Sequence, residues 1–144
     1  MGLFGGIFKI ILGTKPIQIE NSQQDDLQKI LLEVLRKSVV EKLGYGVTFN
    51  TSDIEDTFLK AVIKHVIDAK LNPYMLRFNP MSSGEFSIYY ESYPVGKIKL
   101  KGRKTYMQVL KGAYDIKVFR NLTLEEYIAC IPAWIRYIKS CIRC

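Results

Sequence analysis

The spacing of the hydrophobic residues changes twice along the chain. Up to about residue 71 they recur every three or four positions, which is the period of an amphipathic helix. From Tyr74 to Phe119 they alternate with polar residues, which is the period of a half-buried strand. Helical spacing returns after Thr123. The pattern therefore predicts helices, then a sheet, then a final helix.

Two helices are predicted ahead of the sheet. The first spans residues 23–43 and has a broad apolar face. The second is opened by a capping box, Ser52 and Glu55, and runs to about Leu71, where an Asn-Pro pair stops it. Its predicted apolar stripe consists of Ile54, Phe58, Val62, His65 and Ala69. A lone histidine on such a stripe is interpreted as a core residue with a local hydrogen-bond partner, and a catalytic or ligand role is the alternative.

Five short strands are predicted next, joined by connections so short that neighbouring strands must be antiparallel. Their predicted bounds are 74–78, 85–91, 95–101, 104–110 and 114–119. The apolar residues expected on the buried side of this meander are Phe86, Ile88, Tyr90, Ile98, Leu100, Met107, Val109, Tyr114, Ile116 and Val118. The fold class is therefore predicted as α+β, an antiparallel β-meander of about four to five strands with two N-terminal helices and a C-terminal helix packed on one face.

The C-terminal helix has two unusual features. A capping box of Thr123 and Glu126 opens it, and Pro132 predicts a break near residues 129–131, because proline is disfavoured inside a helix and favoured at its start. The helix also carries two adjacent apolar stripes, a surface typical of a helix wedged between a sheet and other helices or shared with a second subunit.

An alternative function follows from the second stripe of this helix. Tyr127, Trp134 and Tyr137 lie along it at helical spacing. Aromatic residues are enriched at protein interfaces. The alternative is therefore a protein-interaction or homo-oligomerisation module with these three residues at the interface.

A chain of 144 residues is expected to form a single α+β domain over residues 1–144, in which 1–21 form an N-terminal apolar arm and linker. The arm is apolar from residue 3 to residue 12, with one lysine and two glycines. It is about half as long as a membrane-spanning helix, and one lysine makes a poor polar face for membrane binding. Packing on the domain's own core is therefore favoured over docking on a membrane or a partner, and these alternatives stay open.

Positive charge is concentrated in the predicted sheet. Lys and Arg outnumber Asp and Glu by 21 to 14 overall, and residues 97–120 contain eight basic residues against one acid. In the third predicted strand the lysines alternate with Ile98 and Leu100, so one face is cationic and the other apolar. A local field of this kind favours an anionic partner.

The function favoured by this pattern is a non-enzymatic binding module for an anionic macromolecule, most concretely single-stranded nucleic acid. Tyrosines interleaved with lysines resemble the stacking and charge platforms that bind single strands. The predicted binding residues are Lys97, Lys99, Lys101, Arg103, Lys104, Tyr89, Tyr106 and Lys117. Lysines on an exposed sheet face also discourage aggregation without binding anything, and that interpretation is retained beside the functional one.

A metal-dependent nuclease is the second alternative. Asp115 and Lys117 share one face of the last predicted strand, and Glu91 or Glu85 offers an earlier acid. The spacing resembles that of PD-(D/E)xK nucleases, in which carboxylates would hold Mg²⁺ and the lysine would stabilise the developing charge. The resemblance covers few residues and lacks the expected Pro-Asp pair, so a non-enzymatic function is favoured.

The cysteines point to a cytoplasmic protein without a bound cofactor. Cys130, Cys141 and Cys144 are an odd number gathered at the C-terminus, and no signal peptide is recognisable, so a secreted disulfide framework is not expected. The last two have CxxC spacing at the end of a helix, where the helix dipole disfavours a thiolate. Zinc would need two further ligands. No metal or cofactor is predicted.

Overall fold

The computed structural model describes residues 21–46, 49–112 and 115–143. Within these ranges the strands form one antiparallel sheet in the order β1-β2-β3-β4-β5, so the predicted α+β class and meander are confirmed. The elements are α1 (Asn21–Leu43), α2 (Asp53–Asp68), a 3₁₀ turn (Pro73–Met75), β1 (Leu76–Pro80), β2 (Phe86–Tyr90), β3 (Tyr93–Lys99), β4 (Tyr106–Leu110), β5 (Ile116–Arg120), α3 (Leu124–Ala129) and α4 (Ile131–Arg143).

The first predicted strand starts later than expected. Residues 73–75 form the 3₁₀ turn, because the Asn72 side chain accepts the Tyr74 N–H at 3.0 Å and caps it, while Pro73 sets the backbone angle of its first residue. Strand β1 then begins at Leu76. The first two residues of the predicted strand, 74 and 75, therefore belong to the 3₁₀ turn, which this local hydrogen bond stabilises.

Helix α2 begins with the predicted capping box. The Ser52 side chain accepts the Glu55 N–H, and the Glu55 carboxylate accepts the Ser52 N–H at 2.9 Å. The predicted apolar stripe is only partly correct, since Ile54 is 50% exposed and His65 is half-buried. The buried residues are Glu55, Phe58, Leu59, Val62, Ile63 and Val66. The stripe shifted because α2 packs against α1, α3 and α4 together, and its apolar sequence offers more than one helical face.

The C-terminal helix is broken at Cys130, as predicted. Thr123 caps α3 with a complete capping box, and α3 ends at Ala129. Helix α4 restarts at Ile131, so Pro132 occupies the second position of the new helix, where its missing N–H costs no intrahelical bond. The break lets α3 contact α2 while α4 crosses strands β3 and β4.

The helices cover one side of the sheet. Burial alternates along β1, β2 and β4, and α1 packs on β1 while α4 packs on β3 and β4. The buried sheet residues that face this helical layer are Leu76, Phe78, Phe86, Ile88, Tyr90, Val95, Ile98, Met107 and Val109. Together with α1, α2 and α4 they form the described hydrophobic core.

Strand β5 reverses the predicted alternation. Ile116 and Val118 were expected in the core, but they are 53% and 37% exposed. Phe119, opposite Met107, packs against the core instead. Both faces of this short strand carry apolar side chains, with Ile116 and Val118 on one face and Phe119 on the other. The helices reach β3 and β4, and a phenyl ring extends further toward them than two smaller side chains at the edge.

Three sequence predictions concern residues outside the described ranges. They are the arm over residues 1–20, Tyr114 and Cys144. Among the residues that are described, no helix has both the length and the hydropathy needed to cross a membrane.

Candidate nucleic-acid interface

The side of the sheet that faces away from the helices is the candidate interface, and we call it the open face. Its side chains come from alternate residues of each strand, all of them half-buried or exposed. Cross-strand pairing arranges them in rows that run across the strands. One row consists of Lys99, Tyr106 and Arg120, and the next consists of Asn79, Ser87, Lys97, Gln108 and Val118. Two shorter rows are the pair Arg77 and Tyr89 and the pair Leu110 and Ile116. Among the described elements, no helix packs on this side.

Glu85 and Tyr106 are joined across strand β3. The Tyr106 hydroxyl donates to the Glu85 carboxylate, and the Ser83 hydroxyl donates to the same carboxylate. The bond from Ser83, which has the larger effect, and the bond from Tyr106 both lower the pKa of Glu85. The positive charges of Lys97 and Lys99 lower it further. Glu85 is therefore an anion that offsets part of the lysine charge.

Burial and the contact with Glu85 together favour the neutral form of Tyr106. Burial is the largest cause that raises the pKa of Tyr106 to about 12, and the hydrogen bond to Glu85 is the next. Because its hydroxyl is tied to Glu85, the ring orientation of Tyr106 is fixed beside Lys99. The open face thus has one aromatic ring positioned among cations.

Positive charge accumulates at the end of the open face where β3 turns into β4. Arg103 and Lys104 are exposed in that turn. The Asn121 N–H donates to the Thr105 carbonyl at 3.0 Å and ties the end of β5 to the turn. Arg120, opposite Tyr106 in the register, therefore lies at the same end of the sheet.

Two predicted binding residues do not lie on the open face. Lys101 turns toward the helical layer, where its Nζ is 3.6 Å from the carboxylate of the buried Glu55. Lys117 is paired with the buried Val109, so it lies on the helical side of β5, with its Nζ 5.1 Å from the centre of the Phe119 ring. The predicted placement of both lysines was wrong. Strand β3 ends at Lys99, so the alternation of faces no longer determines where Lys101 points. Lys117 lies on the helical side because the faces of β5 are the reverse of those predicted.

Sequence reasoning also missed two cations of the open face. Arg120 joins it through the parity of β5, which only the pairing with β4 fixes. Arg77 lies on it through the pairing of β1 with β2, and its side chain also reaches Glu41 of α1 at 2.8 Å. The alternation in β1 was the signal that could have placed Arg77, since Leu76 and Phe78 flank it.

Two of the three predicted interface residues lie in the chain's own core. Trp134 is 1% exposed, and its Nε1 donates to the Gln108 carbonyl at 2.9 Å. Tyr127 is also 1% exposed, and its hydroxyl is 2.8 Å from the Thr105 hydroxyl. Only Tyr137 is half-buried, and burial together with a hydrogen bond to Cys141 raises its pKa. The aromatic stripe therefore packs mainly against this chain.

The residues of the nuclease hypothesis are spread over the sheet. Glu91 lies in the turn between β2 and β3, and Asp115 lies just before β5. Glu91 follows β2 and Asp115 precedes β5, and these two strands are three places apart in the sheet, which is roughly 14 Å at the usual spacing of about 4.8 Å. Lys117 lies on the helical side. In the described ranges no three His, Cys, Asp or Glu side chains are grouped so that they could hold a metal ion.

The histidine and the cysteines have local environments. His65 Nδ1 is 2.8 Å from the Ala61 carbonyl one turn earlier, a local hydrogen-bond partner of the kind expected from the sequence. Cys130 and Cys141 are free thiols, and burial raises the pKa of Cys130, which disfavours its reactive thiolate.

No protein-family model matches the chain, and no curated protein or solved structure matches it significantly. The function is therefore argued from the open face itself.

Proposed function

We propose that the protein is a non-enzymatic binding module that takes single-stranded nucleic acid on the open face. The observation that carries the proposal is the row of Lys99, Tyr106 and Arg120, which places a fixed aromatic ring between two cations on an uncovered side of the described sheet. Single-strand binding surfaces combine these same two features, a cationic track and stacking rings.

The spacing of the charges favours a chain of anions over a single small one. Neighbouring strands are about 4.8 Å apart, and residues two apart on one strand are about 6.6 to 6.8 Å apart. Five cations at this end of the open face, Lys97, Lys99, Arg103, Lys104 and Arg120, stand against Glu85. One carboxylate cannot balance them, so the remaining repulsion is relieved by a ligand with several negative charges.

The tyrosines add a sequence-independent contribution. Stacking of a base on an aromatic side chain is worth about 1–3 kcal/mol. The bond to Glu85 fixes the Tyr106 ring before binding, which reduces the entropy lost when a base stacks on it. Tyr89 lies on the same face, in the row nearest the β2–β3 turn, and offers a second ring.

The test is the salt dependence of binding to labelled single-stranded DNA and RNA, measured by fluorescence anisotropy. Five phosphate contacts predict a slope of log K against log salt of about −3.5. The double variant Lys97→Gln/Lys99→Gln should lower the affinity for every sequence and reduce the slope to about −2.1. The matched control is Lys29→Gln/Lys60→Gln on α1 and α2, which removes equal charge from the helical layer and should leave the slope unchanged.

Tyrosine variants separate stacking from charge. Tyr106→Ala should weaken binding about tenfold or more, whereas Tyr106→Phe keeps the ring and should lose less. Affinity that ignores salt, or an equal effect of the control double variant, would overturn the proposal.

A further inference from the structure

The hydrogen-bond pattern of β5 determines which of its backbone groups are available. In an antiparallel pair, residues that bond to the neighbouring strand alternate with residues whose N–H and C=O point away. At one end of the β4–β5 ladder the Lys111 N–H donates to the Asp115 carbonyl at 2.8 Å, and at the other the Asn121 N–H donates to the Thr105 carbonyl at 3.0 Å. The odd-numbered residues of β5 therefore bond to β4, and the even-numbered residues point outward.

The outward residues are Ile116, Val118 and Arg120. Strand β5 is last in the order of the described sheet, so none of the described strands accepts their backbone groups. Ile116 is 53% exposed and Val118 is 37% exposed, although both are hydrophobic. Unpaired backbone groups beside exposed β-branched residues form a template on which another strand can pair.

The charge of this edge selects its partner. Lys117 and Arg120 are exposed, and residues 116–120 contain no acid. A second copy of the chain paired through the same edge would bring four positive charges together in two adjacent strands, which is destabilising. A strand with acidic residues would instead place opposite charges across the new pair.

We propose that the β5 edge binds, by strand addition, an extended segment of a partner protein in which apolar and acidic residues alternate. Main-chain bonds to the outward residues would supply the affinity, and the apolar positions of the segment would cover Ile116 and Val118. Its acids would lie on the opposite face of the added strand, beside Lys117. The proposal rests on the backbone edge of β5 and on none of Lys97, Lys99 or Tyr106, so its test can fail while nucleic-acid binding holds.

Amide hydrogen exchange tests the edge in the full chain. Without a ligand, the amides of Lys117 and Phe119 should exchange at least about tenfold more slowly than those of Ile116 and Val118. The probe is a nine-residue peptide of alternating Val and Glu, added while exchange and backbone amide shifts are followed by NMR. The outward amides should become protected by about tenfold or more at saturation. Outward amides that are already protected without peptide would show an occupied edge and overturn the proposal.

A proline variant tests the pairing mechanism. Val118→Pro removes an outward N–H and leaves the bonds to β4 in place, because proline is tolerated where the N–H of an edge strand faces solvent. It should weaken peptide binding about tenfold or more, which is the loss of one backbone bond and its register. The matched variant Val118→Ala keeps the N–H and should bind more tightly than Val118→Pro.

Two control peptides distinguish strand addition from charge attraction. A peptide with Lys in place of Glu should bind at least about tenfold more weakly, and so should a Val/Glu peptide methylated at alternate backbone nitrogens. Equal binding of the methylated peptide, or no binding of the parent peptide, overturns the proposal. So does a concentration-dependent dimer that Val118→Pro abolishes, because the occupant of the edge would then be a second copy.

Discussion

The two edges of the sheet are treated differently by the rest of the chain. At β1 every outward N–H has an explanation: the Leu76 N–H donates to the Pro73 carbonyl, the Phe78 N–H donates to the Ser38 hydroxyl at 2.9 Å, and Pro80 has no N–H. Helix α1, which packs on β1, supplies Ser38. Natural proteins protect edge strands with such covers and prolines.

The opposite edge has no comparable cover among the described elements. Strand β5 presents the outward groups of Ile116, Val118 and Arg120 beside exposed hydrophobic and basic side chains. The comparison teaches that apolar residues do not by themselves leave an edge open, since Leu76 and Phe78 are no less apolar than Ile116 and Val118. The β1 edge is closed by a local turn, a proline and a hydroxyl from helix α1. Four changes sharpen or break this comparison.

The centre of the sheet sets the largest expected effect. A Cβ added at Gly96 in β3 would lie 2.0 Å from the Gln108 carbonyl oxygen and 2.6 Å from Trp134 Nε1. Gly96→Ala should therefore lower the free energy of unfolding by about 3 kcal/mol, the upper end for an overpacked core, as measured by urea denaturation. Gly112→Ala, where a Cβ meets nothing within 4 Å, is the control and should be nearly neutral.

Proline substitution compares the two parities of β5. Lys117→Pro removes an N–H that bonds to β4 and should cost about 1–3 kcal/mol more in unfolding free energy than Val118→Pro, whose N–H points outward. Thermal or urea unfolding of the two variants measures the difference. Equal destabilisation would mean that the parity assigned to β5 is wrong.

One outward N–H of β1, that of Phe78, depends on a single hydroxyl. Ser38 is fully buried, accepts the Phe78 N–H and donates to the Val34 carbonyl at 2.7 Å. Ser38→Ala leaves that N–H without an acceptor and should reduce the free energy of unfolding by about 1–3 kcal/mol. Ser87→Ala on the open face is the matched change and is expected within about 0.5 kcal/mol of the parent protein.

The smallest expected effect lies between the edges, at Glu85 and Tyr106. Because the pKa of Tyr106 is raised to about 12, its hydroxyl contributes to stability below its ordinary pKa of 10.0, and this contribution is lost as the pH rises through about 12. The lowered pKa of Glu85 has the opposite sign, since its contribution is present above its ordinary pKa of 4.5 and is lost as the pH falls below it.

The ionisation of the Tyr106 phenol can be measured as the difference in alkaline absorbance titration between the parent protein and the Tyr106→Phe variant. Glu85→Gln should move the ionisation of Tyr106 to lower pH, because the anionic acceptor is gone. Burial should still keep the pKa of Tyr106 above 10.0. An unchanged titration would show that Glu85 does not hold the ring.

The local elements were largely readable from the sequence. The capping boxes at Ser52 and Thr123 and the break before Pro132 depend on side chains within a few residues, so their chemistry acts wherever the segment lies. The alternation in β3 and β4 was strong enough to place Lys97, Lys99 and Tyr106 on one face, because a slip of one residue would bury charge.

The predictions that were wrong concern features that depend on contacts between residues distant in sequence. In β5 the segment Ile116–Arg120 offers apolar residues at both parities, and the partner strand β4 with the position of the helices decided between them. That choice moved Lys117 off the open face and put Arg120 on it. Lys101 followed the buried carboxylate of Glu55, which is far away in sequence. The aromatic residues Tyr127 and Trp134 were predicted as an interface because their stripe is apolar, and packing used that stripe internally.

By itself, then, the sequence determined the α+β meander, the capped starts of α2 and α3 and a lysine-rich strand, because hydrophobic period, caps and turns are local properties. The tertiary structure decided the composition of the open face and the fate of each edge. The physical reason is that a side chain's exposure at the last strand, and the bonding of an edge amide, depend on which helix reaches it. Helix α1 reaches β1 and closes it, whereas α4 stops over β3 and β4 and leaves β5 with its outward groups unpaired within the described residues.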